Sequence, residues 1–146
     1  WLAEISGEVN AALAKGVVVF DGLFNLLNLL DAQGIQTAVA SNGPMNKMAT
    51  SLGPSGLFKR FEGRIYSGRE MRPKPAPDMI FAAIKQADVT PLETILIDDT
   101  PTGIASATAA GTRAIGFAAA SDADALRATG HPVAMTMPDL QRLLGL

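Results

Sequence analysis

Short apolar runs alternate along the chain with longer amphipathic stretches. "IQTAVA" (Ile35–Ala40), "RIYSG" (Arg64–Gly68), "TILI" (Thr94–Ile97), "AIGF" (Ala114–Phe117) and "VAM" (Val133–Met135) are each too short for a helix and lie next to turn residues, so they predict strands. Between them the apolar spacing becomes helical. Leu23, Leu26, Leu27 and Leu30 share one face of a helix over Leu23–Gln33, and Gly34 stops it. Pro44 suits the first position of a helix running to about Leu52, and Asp78–Ala87 predicts another. In "TPTGIASATAAG", Thr100 reads as the N-cap, Pro101 as the first helical residue and Gly111 as the stop. A helix near Asp122–Thr129 and a last one over Pro138–Leu144 complete the series. At the other end, residues 1–16 carry apolar positions at mixed spacing and read as the close of a helix ending at Gly16; "VVVF" then leads into an Asp21-Gly22 turn.

Strands alternating with helices predict parallel βαβ units, hence an α/β fold with a doubly wound, Rossmann-like parallel sheet and flanking helices. "IQTAVA" and "TILI" are nearly continuous aliphatic runs, as strands covered on both faces are. The expected organisation is a segment 1–18 that closes a helical cap, followed by one α/β core over 19–146. A length of 146 residues, 48% hydrophobic and 18% charged with a net charge of −2, fits one globular core. That balance argues against nucleic acid or a membrane surface as partner, and no apolar run approaches the roughly 20 residues that span a bilayer. With no cysteine there is no disulfide, which suits the cytoplasm. A monomer is the expected state. The chain opens on Trp1 rather than Met, which suggests trimming, processing or a fragment.

In open parallel sheets ligands collect beyond the carboxyl ends of the strands. The polar signals fall there: Ser41-Asn42-Gly43-Pro44 after "IQTAVA", Lys74 in "RPKPAPD" after "RIYSG", and Asp98-Asp99 after "TILI". Each has an ordinary reading alone, as a cap and turn, a solvated loop lysine, or first-turn acids favoured by a helix dipole. Together they match a phosphate dianion, which needs a cation, a short hydroxyl donor and backbone N–H groups at a helix start. Adjacent carboxylates at a low-dielectric strand end repel unless a cation sits nearby, and they suit Mg²⁺, which takes oxygen ligands and keeps several waters. Met45, Met48 and Met71 read as core filler, Arg69 and Arg72 as surface residues, and His131 has no assigned role.

"AVASNGP", "RPKPAPD" and "ILIDDTPTGIASATAAG" resemble, in order and spacing, the second, third and fourth motifs of haloacid dehalogenase-like hydrolases. The nearest branch is that of the β-phosphoglucomutase-like sugar phosphatases, and the likeness runs from about Phe20 to the C-terminus. The resemblance implies a Mg²⁺-dependent phosphoric monoester hydrolase acting on a small phosphorylated metabolite such as a sugar phosphate. It implies that Ser41 binds the transferring phosphoryl group, that Asn42 lines the same site and that Lys74 neutralises the phosphoryl group and the nucleophile. Asp98 and Asp99 would hold Mg²⁺, the first through water. The family's first motif, an Asp-x-Asp pair on the central strand, has no counterpart here. "VVVFDGLF" places Asp21 like the second acid of that motif but Val19 where the nucleophile belongs, and it is read as the exit from a cap. The chain is therefore expected to be a C-terminal portion without its aspartate nucleophile or central strand, inactive alone and poorly packed. The alternatives are a non-catalytic phospho-ligand-binding module and a receiver-like signalling module; the latter would need its Ser, Lys and Asp-Asp elements permuted.

Overall fold

The computed structural model describes the backbone of residues 2–6 and all of residues 18–146. Six parallel strands, β1 (Leu2–Ser6), β2 (Gln36–Ser41), β3 (Ile65–Ser67), β4 (Thr94–Asp98), β5 (Arg113–Phe117) and β6 (Val133–Ala134), form one sheet in the order β3-β2-β1-β4-β5-β6. The connections carry α1 (Leu23–Ala32), α2 (Met45–Leu52), α3 (Leu57–Arg60), α4 (Asp78–Ala87), α5 (Pro101–Ala110) and α6 (Ala123–Arg127), and α7 (Met137–Leu144) closes the chain. A single 3₁₀ turn, Pro91–Glu93, leads into β4. This is the doubly wound α/β architecture that the alternation predicts. Among the described residues no helix is long and apolar enough to cross a membrane.

The pleat sends alternate residues of β4 to opposite faces. Ile95 and Ile97 join Leu23, Leu26, Leu27 and Leu30 of α1, together with Met137 and Leu140 of α7, in one buried cluster. Leu96 lies in a second cluster with Ile80 and Ile84 of α4, Ile104 and Ala107 of α5, and Leu126 of α6. Every residue of β4 is buried, as its aliphatic run predicts. Helix ends follow the expected signals. Thr100 Oγ1 accepts from Gly103 N at 3.0 Å, and Gly111 ends α5 in the left-handed region at φ 73°.

The N-terminal segment departs from the sequence reading. Leu2–Ser6 is a strand and not the end of a helix, and it occupies the central position that was expected to be vacant. It pairs with β2 from Leu2↔Gln36 to Glu4↔Ala38, and with β4 from Leu2↔Thr94 to Ser6↔Asp98. The physical reason is backbone accounting. Without an intervening strand the facing edges of β2 and β4 would bury unpaired N–H and C=O groups, each at about 1–3 kcal/mol. That requirement overrides the weak helical pattern of "LAEIS". Residues 7–17, the rest of the expected cap segment, lie outside the described residues. Val18–Phe20 adopt no regular structure.

With the slot filled, hydrogen exchange on the 146-residue chain should show strong, cooperative amide protection across both Thr37–Ala40 and Ile95–Asp98. Rapid exchange in either strand, with α1 and α4 still protected, would show that Leu2–Ser6 does not hold the sheet together.

Candidate active site

β2 and β4 end at Ser41 and Asp98 on the same edge of the parallel sheet, and the loop after β3 delivers Lys74 to it. In this strand order the winding reverses beside β1, which is where ligands of such sheets collect.

Asp98 is fully buried, with 2% of its surface exposed, and Lys74 is nearly so at 7%. Their charges meet: Lys74 Nζ lies 2.7 Å from Asp98 Oδ2. The other carboxylate oxygen, Oδ1, accepts from Thr100 N at 2.9 Å and from Thr100 Oγ1 at 2.8 Å. Each carboxylate oxygen has about two acceptor positions, so Oδ1 is filled and Oδ2 keeps one. Helix α5 presses so closely on this group that a Cβ on Gly103 would lie 1.9 Å from Asp98 Cγ and 2.2 Å from each oxygen. Only glycine fits there, although glycine inside a helix costs roughly 0.5–1 kcal/mol against alanine. Asp99, next along, is half-buried and accepts a 3.3 Å hydrogen bond from Ser121 Oγ in the loop after β5.

The Lys74 loop is braced from three sides. Asn42 Oδ1 accepts from Lys74 N at 2.7 Å, and Asn42 Nδ2 donates to the Lys74 carbonyl at 3.2 Å. Arg72 Nε donates to Asp78 Oδ2 at 3.0 Å, and this hydrogen bond pushes the Arg72 pKa above its ordinary value. Ala76 N donates to the Pro73 carbonyl at 2.9 Å. On the β2 side, Ser41 Oγ accepts from Gly43 N at 3.1 Å, and its own proton has no acceptor among the described residues. Ser67 Oγ donates to the Gly43 carbonyl at 2.8 Å and accepts from Arg69 N at 3.1 Å, tying the β2 and β3 loops together.

The structure thus joins Lys74 directly to Asp98, puts Asn42 on the Lys74 main chain, and sets Ser41 and Asp99 on the same edge. Thr100, Gly103, Ser67 and Ser121 support them, and none of these four was assigned a site role from sequence. A glycine three residues into a helix, against propensity, is the sequence signal from which the Asp98 contact could have been found. Asp21 is exposed in its turn, outside the sheet; Phe20 beside it packs edge-to-face on Phe117 with centroids 5.3 Å apart. His131 Nε2 lies 3.3 Å from the Thr108 hydroxyl on α5, and the Arg69 side chain is exposed. Met48 is buried, whereas Met45 and Met71 are half-buried. The two adjacent carboxylates form an oxygen-only donor set that fits a hard divalent cation bound by one or two carboxylates. No cluster of three or more His, Cys, Asp or Glu is found among the described residues.

Residues 2–117 match the family described as haloacid dehalogenase-like hydrolase, and the chain belongs to that family. It is 37% identical over 92 residues to the 6-phosphogluconate phosphatase of Escherichia coli (strain K12), a match covering 62% of this chain and 42% of that protein. It is 29% identical over 127 residues to the validoxylamine A 7'-phosphate phosphatase of Streptomyces hygroscopicus subsp. limoneus, covering 84% of this chain and 60% of that protein. The chain therefore spans about half the length of these curated relatives. Among solved structures it is similar to a haloacid dehalogenase family hydrolase from Deinococcus radiodurans R1 with bound phosphate and sodium. That similarity has a TM-score of 0.79 at 28% identity and covers 86% of this chain and 58% of that one.

Two substitutions test the buried pair by urea unfolding. Lys74→Met strands the Asp98 charge and should cost about 3–5 kcal/mol. Gly103→Ala should destabilise despite the gain in helix propensity, and a variant as stable as the parent would contradict the close approach of α5 to Asp98.

Proposed function

We propose that the chain carries the phosphate- and metal-binding core of a Mg²⁺-dependent phosphoric monoester hydrolase that acts on a small phosphorylated metabolite such as a sugar phosphate. The observation that carries this reading is the buried Lys74–Asp98 pair, with Ser41 and Asp99 on the same strand-end edge. A buried lysine held at a strand end suits a phosphoryl dianion, and the phosphatase names of the relatives and the phosphate bound in the Deinococcus protein point to the same chemistry.

In this reading Ser41 and Lys74 act on the phosphoryl group. Ser41 Oγ already accepts from Gly43 N, so its hydroxyl proton can go to a phosphoryl oxygen. Lys74 supplies positive charge where the transferring group gathers negative charge, in a site where water does not screen it. The first turn of α2, just beyond Pro44, adds the N–H dipoles of a helix start. Asp99 and the remaining position on Asp98 Oδ2 would hold Mg²⁺, which when bound supplies Lewis-acid stabilisation of phosphoryl charge. Asp98 accepts from Lys74 and Thr100 at once, which fits a bond to the metal through water. The partner is the phosphorylated substrate alone, met in the cytoplasm by a monomer.

The family's covalent step uses an aspartate at the end of the central strand. Here the residue in register with Asp98 is Ser6. The 146 residues are accordingly expected to bind phosphate without turning over an ester.

Inorganic phosphate should raise the melting temperature, by the equivalent of about 2.7 kcal/mol at a hundredfold excess over Kd. Mg²⁺ should strengthen the effect, and Asp99→Asn should remove that dependence. A chain indifferent to phosphate with Mg²⁺ would contradict the reading. Hydrolysis of p-nitrophenyl phosphate that Asp99→Asn abolishes would show that the nucleophile lies within these residues.

A further inference from the structure

Asn42 stands next to Ser41 at the end of β2, where its amide would be expected to face the phosphoryl group. Its hydrogen bonds go elsewhere. Oδ1 accepts from Lys74 N at 2.7 Å and Nδ2 donates to the Lys74 carbonyl at 3.2 Å, so one planar amide pairs with both main-chain groups of a residue 32 positions away. The arrangement imitates the pairing of a neighbouring strand, although Lys74 lies in a loop.

The surroundings leave the amide little choice. A Cβ on Gly68 would lie 3.0 Å from Asn42 Cα, from Asn42 Oδ1 and from Pro73 Cβ, so the loop ahead of Lys74 packs directly on Asn42. Gly68 N donates to the Ser41 carbonyl at 2.8 Å and fixes that loop one residue from the amide. At its far end the Lys74 side chain meets Asp98 at 2.7 Å. Among the described residues, Lys74 is thus held at its main chain by Asn42 and at its ammonium by Asp98.

We infer that Asn42 is a positioning residue: it places the Lys74 ammonium through the Lys74 main chain, rather than serving as a phosphate ligand itself. The inference rests on the proposed reading of Lys74 as the cation that meets the phosphoryl group. The chemistry of the residue supports it. Pairing with N–H and C=O together needs a donor and an acceptor in one plane at this reach. Aspartate offers acceptors alone and would turn an oxygen toward the Lys74 carbonyl, whereas glutamine is one methylene longer. The second Nδ2 proton has no acceptor among the described residues, so direct phosphate contact is the competing role that an experiment must separate.

The ammonium signals of Lys74 provide a readout that does not depend on phosphate. In ¹H–¹⁵N spectra of the 146-residue chain, the buried and paired Lys74 ammonium should exchange slowly, unlike those of Lys47, Lys59 and Lys85. Asn42→Ala is expected to abolish or displace that signal and to weaken inorganic phosphate about tenfold. Asn42→Asp, which keeps Oδ1 at the same reach, should restore part of the slow exchange and serves if the alanine variant fails to fold. An unchanged Lys74 signal in both variants would overturn the inference, whether or not phosphate binding falls. A disturbed Lys74 signal in a chain whose parent binds no phosphate would uphold the positioning role and refute the phosphate reading instead.

Discussion

A lysine and an aspartate cannot both be buried unless nearly every hydrogen-bonding position they expose is matched. Removing two charges from water costs several kcal/mol per ion, and their attraction repays it only in good geometry with the remaining lone pairs satisfied. For Lys74 and Asp98 the described contacts come from separate parts of the chain. Lys74 Nζ takes one oxygen, and Thr100 fills the other with its main chain and hydroxyl. Strand β4, the loop after β3 and the first turn of α5 must all be in place for the pair to exist. The pair in turn explains the glycine at 103, because α5 can supply Thr100 only by coming within contact of the carboxylate.

This constraint links fold to chemistry. The connection that carries Lys74 runs from β3 at one edge of the sheet through α4 to β4 on the other side of β1, so the ion pair spans the point where the winding reverses. Ser41 and Asn42 arrive from β2, Asp98 and Asp99 from β4, and the Lys74 loop bridges them. The Asn42 amide and the Ser67 hydroxyl fasten that bridge on the β2 side. These groups stand on strand ends and on loops held by hydrogen bonds, the fixed geometry that the proposed phosphoryl-transfer chemistry calls for.

Most of the fold could be read along the chain because local signals and tertiary structure agree. Pro101–Ala110 begins and ends where Thr100 and Gly111 place it, Asp78–Ala87 has the bounds its helical pattern predicts, and Thr94–Asp98 is buried throughout as its aliphatic run implies. Leu2–Ser6 could not be read in this way. Its mixed residues, with Glu4 at mid-strand opposite Ala38 and Leu96, carry no strand signal, and its place follows from the needs of its neighbours' backbones. At the site, the residues named from sequence were Ser41, Asn42, Lys74, Asp98 and Asp99, whose types and motif places suggest their chemistry. Thr100 was legible as a cap but not as a partner of Asp98. The contact between Asn42 and Lys74 spans 32 positions, and no periodicity or motif spacing encodes which way an amide points.

The central claim is that three strand-end loops form one cation–phosphate site around the Lys74–Asp98 pair. Paramagnetic broadening by Mn²⁺ tests it most directly, read on backbone amides in the presence of inorganic phosphate. Signals of Asn42–Gly43, Lys74 and Asp98–Gly103 should broaden together at substoichiometric Mn²⁺, and Asp99→Asn should abolish the effect at all three. Broadening confined to Asp98–Gly103, with the Asn42 and Lys74 amides unaffected, would show that the loops do not share a site.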